Sequence, residues 1–91
     1  MKIQLRSFAT FREAIGERSV DREFPDGTTV GDVLRTLDEE YSAFEVFDED
    51  GNLREYLSIL VNGRDITHLE GTETTLEDGD KLSLFPPVAG G

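Results

Sequence analysis

The residues best suited to chemistry lie in the final segment, Phe85-Pro86-Pro87-Val88-Ala89-Gly90-Gly91. The two prolines cannot extend a β ladder and favour an extended path, so we expect a tail of residues 86–91 to project from the folded body. Such a tail reaches at most about 20 Å. Because its two glycines have no Cβ atoms, the Gly91 carboxylate could enter a channel too narrow for a side chain. The sequence therefore predicts a tail that delivers a carboxylate into another protein's active site; a frayed, functionless end is the alternative.

Catalytic machinery within the chain itself is not evident. His68 is the only histidine, there is no cysteine, and no serine lies in a G-x-S-x-G elbow. The absence of cysteine excludes disulfides, thiolate metal sites and iron–sulfur clusters. Residues 48–52 are rich in carboxylates, but Leu53 and Ile59 stand where a calcium loop needs glycine and a bidentate glutamate, so a simple turn is favoured. We expect no catalytic residue, no metal and no bound cofactor.

The chain is strongly acidic, with 9 Lys+Arg against 20 Asp+Glu in 91 residues and a formal net charge of −11. This charge repels phosphate backbones and anionic lipids, so we expect no nucleic-acid or membrane partner. Only Lys2 and Lys81 are lysines. An acidic, lysine-poor surface is typical of a protein working in high salt, which screens self-repulsion, although an ordinary acidic mesophilic protein is the alternative. The absence of an apolar signal region or membrane-length apolar run predicts a cytoplasmic protein.

Hydrophobic periodicity predicts the elements that carry the tail. A short helical turn over residues 10–15 is expected to end at Gly16, and the main helix should start at an N-cap, Thr29, with Asp32 as a capping partner, and run to about Tyr41. Alternating apolar residues and the Asn62-Gly63 hairpin signal predict strands over residues 2–8, 19–24, 57–61, 64–66 and 81–85.

This order of elements favours an α+β fold in which one main helix packs on one face of a mixed sheet. That arrangement is the β-grasp, or ubiquitin-like, fold. A ferredoxin-like sandwich would need a second long helix, and no helical pattern follows residue 45. We therefore predict a β-grasp domain over residues 1–85, followed by the tail.

Three apolar residues share the parity of polar residues on their strands and should face away from the core. They are Phe8 in the first strand, Leu60 in the third and Phe85 in the last. Because the first and last strands of a β-grasp sheet are neighbours, Phe8 and Phe85 could form one exposed patch beside the tail, with Leu60 adjoining. Such a patch predicts a partner-binding surface. The alternative is that bulges or strand ends return these side chains to the core.

The chain also resembles a known family. The segments that carry the resemblance are Phe8-Ala9-Thr10-Phe11-Arg12-Glu13, Thr29-Val30-Gly31-Asp32-Val33-Leu34, Val61-Asn62-Gly63, Asp78-Gly79-Asp80 and the final seven residues. Together they are similar to the MoaD/ThiS group of ubiquitin-like proteins, especially the small archaeal modifiers of halophiles. The resemblance spans nearly the whole chain, and the terminal motif is its most specific part.

The resemblance implies that Gly91 is the reacting residue. An E1-like enzyme would use ATP to convert its carboxylate into an acyl-adenylate, which then forms an isopeptide bond with a lysine of a target protein. Alternatively the adenylate accepts sulfur, and the resulting thiocarboxylate serves tRNA thiolation or molybdopterin synthase, beside a MoaE-like large subunit. Phe8 and Phe85 match positions that dock the E1-like partner. If chains form, Lys2 and Lys81 are the acceptor lysines within this sequence.

Overall fold

The computed structural model describes residues 1–41, 44, 46–54 and 57–86. Its sheet is mixed and five-stranded, with the strand order β2-β1-β5-β3-β4. β1 and β5 run parallel in the centre, and the other neighbouring pairs are antiparallel. The predicted neighbourhood of the first and last strands is therefore confirmed. The strands are β1 (Lys2–Ser7), β2 (Ser19–Glu23), β3 (Ser58–Val61), β4 (Arg64–Asp65) and β5 (Lys81–Phe85).

Two α-helices accompany the sheet, α1 (Ala9–Ile15) and α2 (Val30–Glu40). The Thr29 side chain caps α2 by accepting a hydrogen bond from the Asp32 nitrogen, and the Asp32 carboxylate accepts one from the Thr29 nitrogen, which is the predicted capping box. α1 ends at Gly16 in the left-handed conformation, as predicted. Between β4 and β5 the chain forms two 3₁₀ turns, Ile66–His68 and Gly71–Glu73, so the fourth strand ends at Asp65, one residue before the predicted end.

The core lies between α2 and one face of the sheet. The apolar stripe of α2 is buried, apart from half-buried Tyr41 at its end. Gly31 is also buried, and Thr72 packs closely against it. A Cβ at this position would lie 3.1 Å from both the Thr72 Cβ and the Thr72 carbonyl oxygen. The buried residues that face one another across this core include Val30, Val33, Leu34 and Leu37 from α2, and Ile3, Leu5, Ile59, Leu82 and Leu84 from the sheet.

Two local predictions of turn chemistry are confirmed. Asn62 and Gly63 connect β3 to β4 with φ of 52° and 85°, the pair of positive values that a type I′ hairpin requires. Asp48 closes a turn by accepting hydrogen bonds from the backbone nitrogens of Asp50 and Asn52. Within the part of the chain that the structure describes, no helix is long and apolar enough to cross a membrane.

Candidate docking face and tail

The face of the sheet opposite α2 is the outer face. It is defined by cross-strand register, because residues directly opposite one another on paired strands point to the same side. Alternate strand residues such as Leu5 and Leu82 are buried in the core, so their neighbours point outward. The outer-face residues are Lys2, Gln4, Arg6, Ser19, Asp21, Glu23, Ser58, Leu60, Asp65, Lys81, Ser83 and Phe85.

Phe8 and Phe85 form a stacked aromatic pair at one end of this face. Their ring centroids are 4.2 Å apart and their planes are inclined by 9°. The Phe8 nitrogen donates a 3.2 Å hydrogen bond to the Leu84 carbonyl, which continues the β1–β5 pairing by one step. Both aromatic residues are half-buried, and the Arg6 guanidinium lies 5.9 Å from the centre of the Phe8 ring. The structure therefore brings the two predicted residues together.

The backbone at Ala9 sets the position of Phe8. Phe8 is still extended, with φ −132° and ψ 151°, so it keeps the outward parity of β1 although the strand itself ends at Ser7. Ala9 then has φ 52°, a left-handed conformation that is unusual for a residue with a side chain. This single residue turns the chain sharply into α1, whose Phe11 is buried in the core.

Leu60 is half-buried and lies on the same face, but it does not join the aromatic stack directly. It is opposite Ser83 on β5 and therefore diagonal to Phe85. On its other side Leu60 lines a shallow pocket with Gly63, Arg64, Asp65 and His68. We call Phe8, Leu60 and Phe85 the docking patch. It consists of the aromatic pair and a leucine in the neighbouring cross-strand row.

β5 ends at Phe85, and half-buried Pro86 follows it. The docking patch thus lies at the place where the sheet passes into the predicted tail. Residues 87–91, which are Pro87, Val88, Ala89, Gly90 and Gly91, lie outside the described residues, so the projection of the tail and the reacting role of Gly91 stay predictions.

Both lysines are exposed on the outer face. Lys81 is opposite Gln4, and its backbone is held by Asn62, whose side-chain oxygen accepts from the Lys81 nitrogen at 3.0 Å. Lys2 is opposite Glu23, and its backbone nitrogen donates a 2.6 Å hydrogen bond to the Asp78 carboxylate. The Lys81 side chain therefore points outward, on the same face as Phe85.

Charge is unevenly distributed over the surface. The outer face carries three basic residues, Lys2, Arg6 and Lys81, and three acidic residues, Asp21, Glu23 and Asp65. Their formal charges cancel, so the net charge of −11 belongs to the rest of the molecule. Hydrogen bonds from the backbone and side chain of Thr67 lower the pKa of the Asp65 carboxyl, which stays ionised at neutral pH.

Metal-binding geometry is not found in the described ranges, which contain no group of three or more His, Cys, Asp or Glu side chains able to hold an ion. His68 is exposed at the end of a 3₁₀ turn.

Comparisons with known proteins agree with this architecture. The ThiS family model matches residues 5–91. "Small archaeal modifier protein 3" of Haloferax volcanii is 49% identical over 92 residues, which is 100% of each chain. The crystal structure of small archaeal modifier protein 1 from H. volcanii matches with a TM-score of 0.85 at 34% identity over 100% of each chain, which confirms the predicted β-grasp fold. "Sulfur carrier protein CysO" of Mycobacterium tuberculosis is 34% identical over 84% of this chain and 83% of its own. Since the family match covers all but the first four residues, the chain belongs to the ThiS family.

Proposed function

We propose that the protein is a ubiquitin-like modifier that is joined through Gly91 to lysines of other proteins. The observation that carries this proposal is the position of the docking patch, because Phe85 is both a patch residue and the last residue before the tail. An E1-like enzyme bound to the patch would therefore hold the tail at a fixed starting point. The similarity to small archaeal modifier proteins supports the same function.

The chemistry uses a carboxylate that must first be activated. A Gly91 carboxylate oxygen attacks the α-phosphorus of ATP, pyrophosphate leaves, and an acyl-adenylate forms. A lysine amine then attacks the acyl carbon, AMP leaves, and the nitrogen loses a proton as the isopeptide bond forms. ATP and the activating groups belong to the E1-like partner, so this chain is the acyl donor and not the catalyst.

A second function follows from the same adenylate. If a sulfur donor displaces AMP, Gly91 ends in a thiocarboxylate, and the protein is a sulfur carrier. The similarity to CysO favours this candidate. In that role the partners would be enzymes of tRNA thiolation or a MoaE-like subunit of molybdopterin synthase. The two functions are compatible, because both begin with the activation of Gly91.

We place this chemistry in the cytoplasm, where ATP is available, without a nucleic-acid or membrane partner. The outer face has no net formal charge, although the whole molecule is acidic. It can therefore contact other acidic proteins without the repulsion that a net negative face would cause.

The deciding experiment is denaturing mass spectrometry of N-terminally tagged protein isolated from its own cells. The control is a chain lacking Gly90 and Gly91. Isopeptide-linked partners found only with the full chain would establish a modifier. Exchange of one terminal oxygen for sulfur without conjugates would establish a sulfur carrier alone. If neither product is found, the chain is a non-covalent binding domain and the proposal is wrong.

A further inference from the structure

Two lysines are the only side-chain amines of this chain, and both lie on the outer face. Their surroundings differ. Lys2 is at the edge of the β1–β2 pairing, opposite the Glu23 carboxylate, and the Asp78 carboxylate binds its backbone nitrogen. Lys81 lies on a central strand opposite the neutral Gln4 side chain. The residue directly opposite Lys2 is therefore acidic, whereas the residue directly opposite Lys81 is neutral.

Charge also determines how a second copy can approach. Two molecules that each carry −11 repel one another over most of their surfaces. The outer face is the exception, because its three basic and three acidic residues cancel. The tail, residues 86–91, has no charged side chain, so its only charge is that of the Gly91 carboxylate or of the group that activates it. The favoured encounter brings the tail of one copy onto the outer face of another.

The amine of Lys81 and the docking patch share one surface. Along β5, Lys81, Ser83 and Phe85 point to the same side, and Leu60 is opposite Ser83. At about 3.3 Å per residue, Lys81 lies about 13 Å from Phe85 along the strand. A 10.2 kDa domain joined to Lys81 by a tail that reaches at most about 20 Å can therefore lie over the patch.

We propose that Lys81 is the acceptor for the activated Gly91 of a second copy, and that a molecule modified there can no longer dock for its own activation. The inference rests on the proposed modifier function. The Lys81 amine attacks the acyl carbon of the donor, the activating group leaves, and the nitrogen loses one proton. A free dimer linked through Lys81 could then not be transferred to a target as a unit, because its acceptor copy, once modified, cannot become a donor.

The acceptor site can be identified in the cells that make the protein. Trypsin cleaves after Lys81, so a donor leaves Leu82–Gly91 attached to the acceptor lysine, a ten-residue mark that mass spectrometry detects. We expect this mark on Lys81 of self-conjugates. Lys81→Arg should abolish the self-conjugates and leave conjugates with other proteins, whereas the matched Lys2→Arg variant should lose neither.

Masking of the patch can be measured separately. Because the natural chain has no cysteine, Lys81→Cys can be labelled at one place with a 10 kDa maleimide polymer. ATP–pyrophosphate exchange by the E1-like partner should fall at least tenfold on labelling. Arg35→Cys, on the exposed side of α2, is the matched control and should change less than twofold when labelled.

Each outcome decides the matter. Self-conjugates marked only on Lys2, or equal exchange by the two labelled variants, would overturn the inference. Conjugates with other proteins but no self-conjugates would overturn it too, while leaving the modifier function intact. The absence of every conjugate would instead contradict the proposed function itself.

Discussion

The ring of Phe8 lies flat against the ring of Phe85, with 4.2 Å between the centroids. The contact joins the entrance of α1 to the last residue of β5. Two half-buried rings gain packing from each other and still leave one side of the pair accessible to a partner. The stack therefore fixes the position of the last residue of β5 and leaves a ring surface open, as the proposed docking function requires.

Replacement of Phe8 by alanine should weaken activation more than it weakens folding. A central aromatic anchor of an interface typically contributes about 2 kcal/mol or more, which corresponds to about 30-fold in affinity. We expect the concentration of protein needed for half-maximal ATP–pyrophosphate exchange by the E1-like partner to rise at least tenfold for Phe8→Ala. Phe85→Ala should have an effect of similar size.

Phe47→Ala is the matched control for that experiment. Phe47 is also half-buried and packs against the core, but it pairs with Leu53 away from the sheet. Its replacement should lower the unfolding free energy without changing half-saturation of the E1-like partner. Equal half-saturation in the Phe8 and Phe47 variants would rule out the patch as the docking surface.

Ala9 and Ala14 should respond in opposite directions to the same substitution. Ala9 has φ 52°, and glycine adopts this conformation without the clash of a Cβ atom. Ala9→Gly is therefore expected to raise the unfolding free energy by up to about 1 kcal/mol. Ala14 lies inside α1, where glycine costs about 1 kcal/mol relative to alanine. Urea denaturation of both variants tests the difference, and two losses of equal size would contradict a strained backbone at Ala9.

The local signals in the sequence were strong where a single geometry satisfies them. Asn62-Gly63 predicts a hairpin because few residues accept two positive φ values. The parity of Phe8, Leu60 and Phe85 predicts that all three lie on the outer face, as they do. Tertiary contacts without a periodic pattern were missed. Phe44 and Val46 are buried in the core, with the ring centroids of Phe44 and Phe11 4.8 Å apart, yet two alternating positions are too few to define a strand pattern.

Similar reasoning explains why the entrance to α1 could not be predicted in detail. Alanine favours a right-handed helix, so nothing in its type indicates φ 52° at Ala9. The stacking of Phe8 on Phe85 and the burial of Phe11 in the core determine that conformation, and both are contacts with residues distant in the sequence. Residues in long-range contact thus decide a local angle that local sequence leaves open.

Glu40→Gln should remove a pH-dependent part of the stability. Arg22 donates two 2.8 Å hydrogen bonds to Glu40, which lower the pKa of the Glu40 carboxyl. Because the pKa of Glu40 is lower in the folded than in the unfolded state, its ionised form stabilises the protein at pH values above the unfolded-state pKa of about 4.3. This contribution is lost as the pH falls through the folded-state pKa. Because both groups are partly exposed, we expect a loss of only about 0.5–1 kcal/mol at pH 7.

The measurement is urea denaturation of the natural chain and the variant between pH 7 and pH 3. The difference should shrink toward zero on the acid side of pH 4. Glu13→Gln is the control, since Glu13 is an exposed residue of α1 and no ion pair of Glu13 is observed among the described residues. A loss that stays constant down to pH 3 would show that Glu40 acts through packing and not through its charge.

Salt should stabilise the protein by screening the acidic surface near the end of α2. Asp38 and Glu39 line one shallow depression together with Asp48 and Glu49, so four carboxylates share a small area with Arg35. The Debye length falls from about 10 Å at 0.1 M to about 3 Å at 1 M salt, which removes most of their mutual repulsion. We expect the unfolding free energy to rise steadily between 0.1 and 1 M NaCl.

The double variant Asp38→Asn/Glu39→Gln separates screening from a general effect of salt on apolar burial. It should be more stable than the natural chain at 0.1 M by about 0.5–1 kcal/mol, by analogy with measured surface charge pairs, and should gain less on addition of salt. Asp21→Asn is the matched control, because Asp21 lies on the neutral outer face, in the same cross-strand row as Lys81. Removal of the Asp21 charge should leave the increase of the unfolding free energy with salt unchanged or make it steeper. Identical salt dependence in both variants would mean that the acidic surface of α2 does not limit folding.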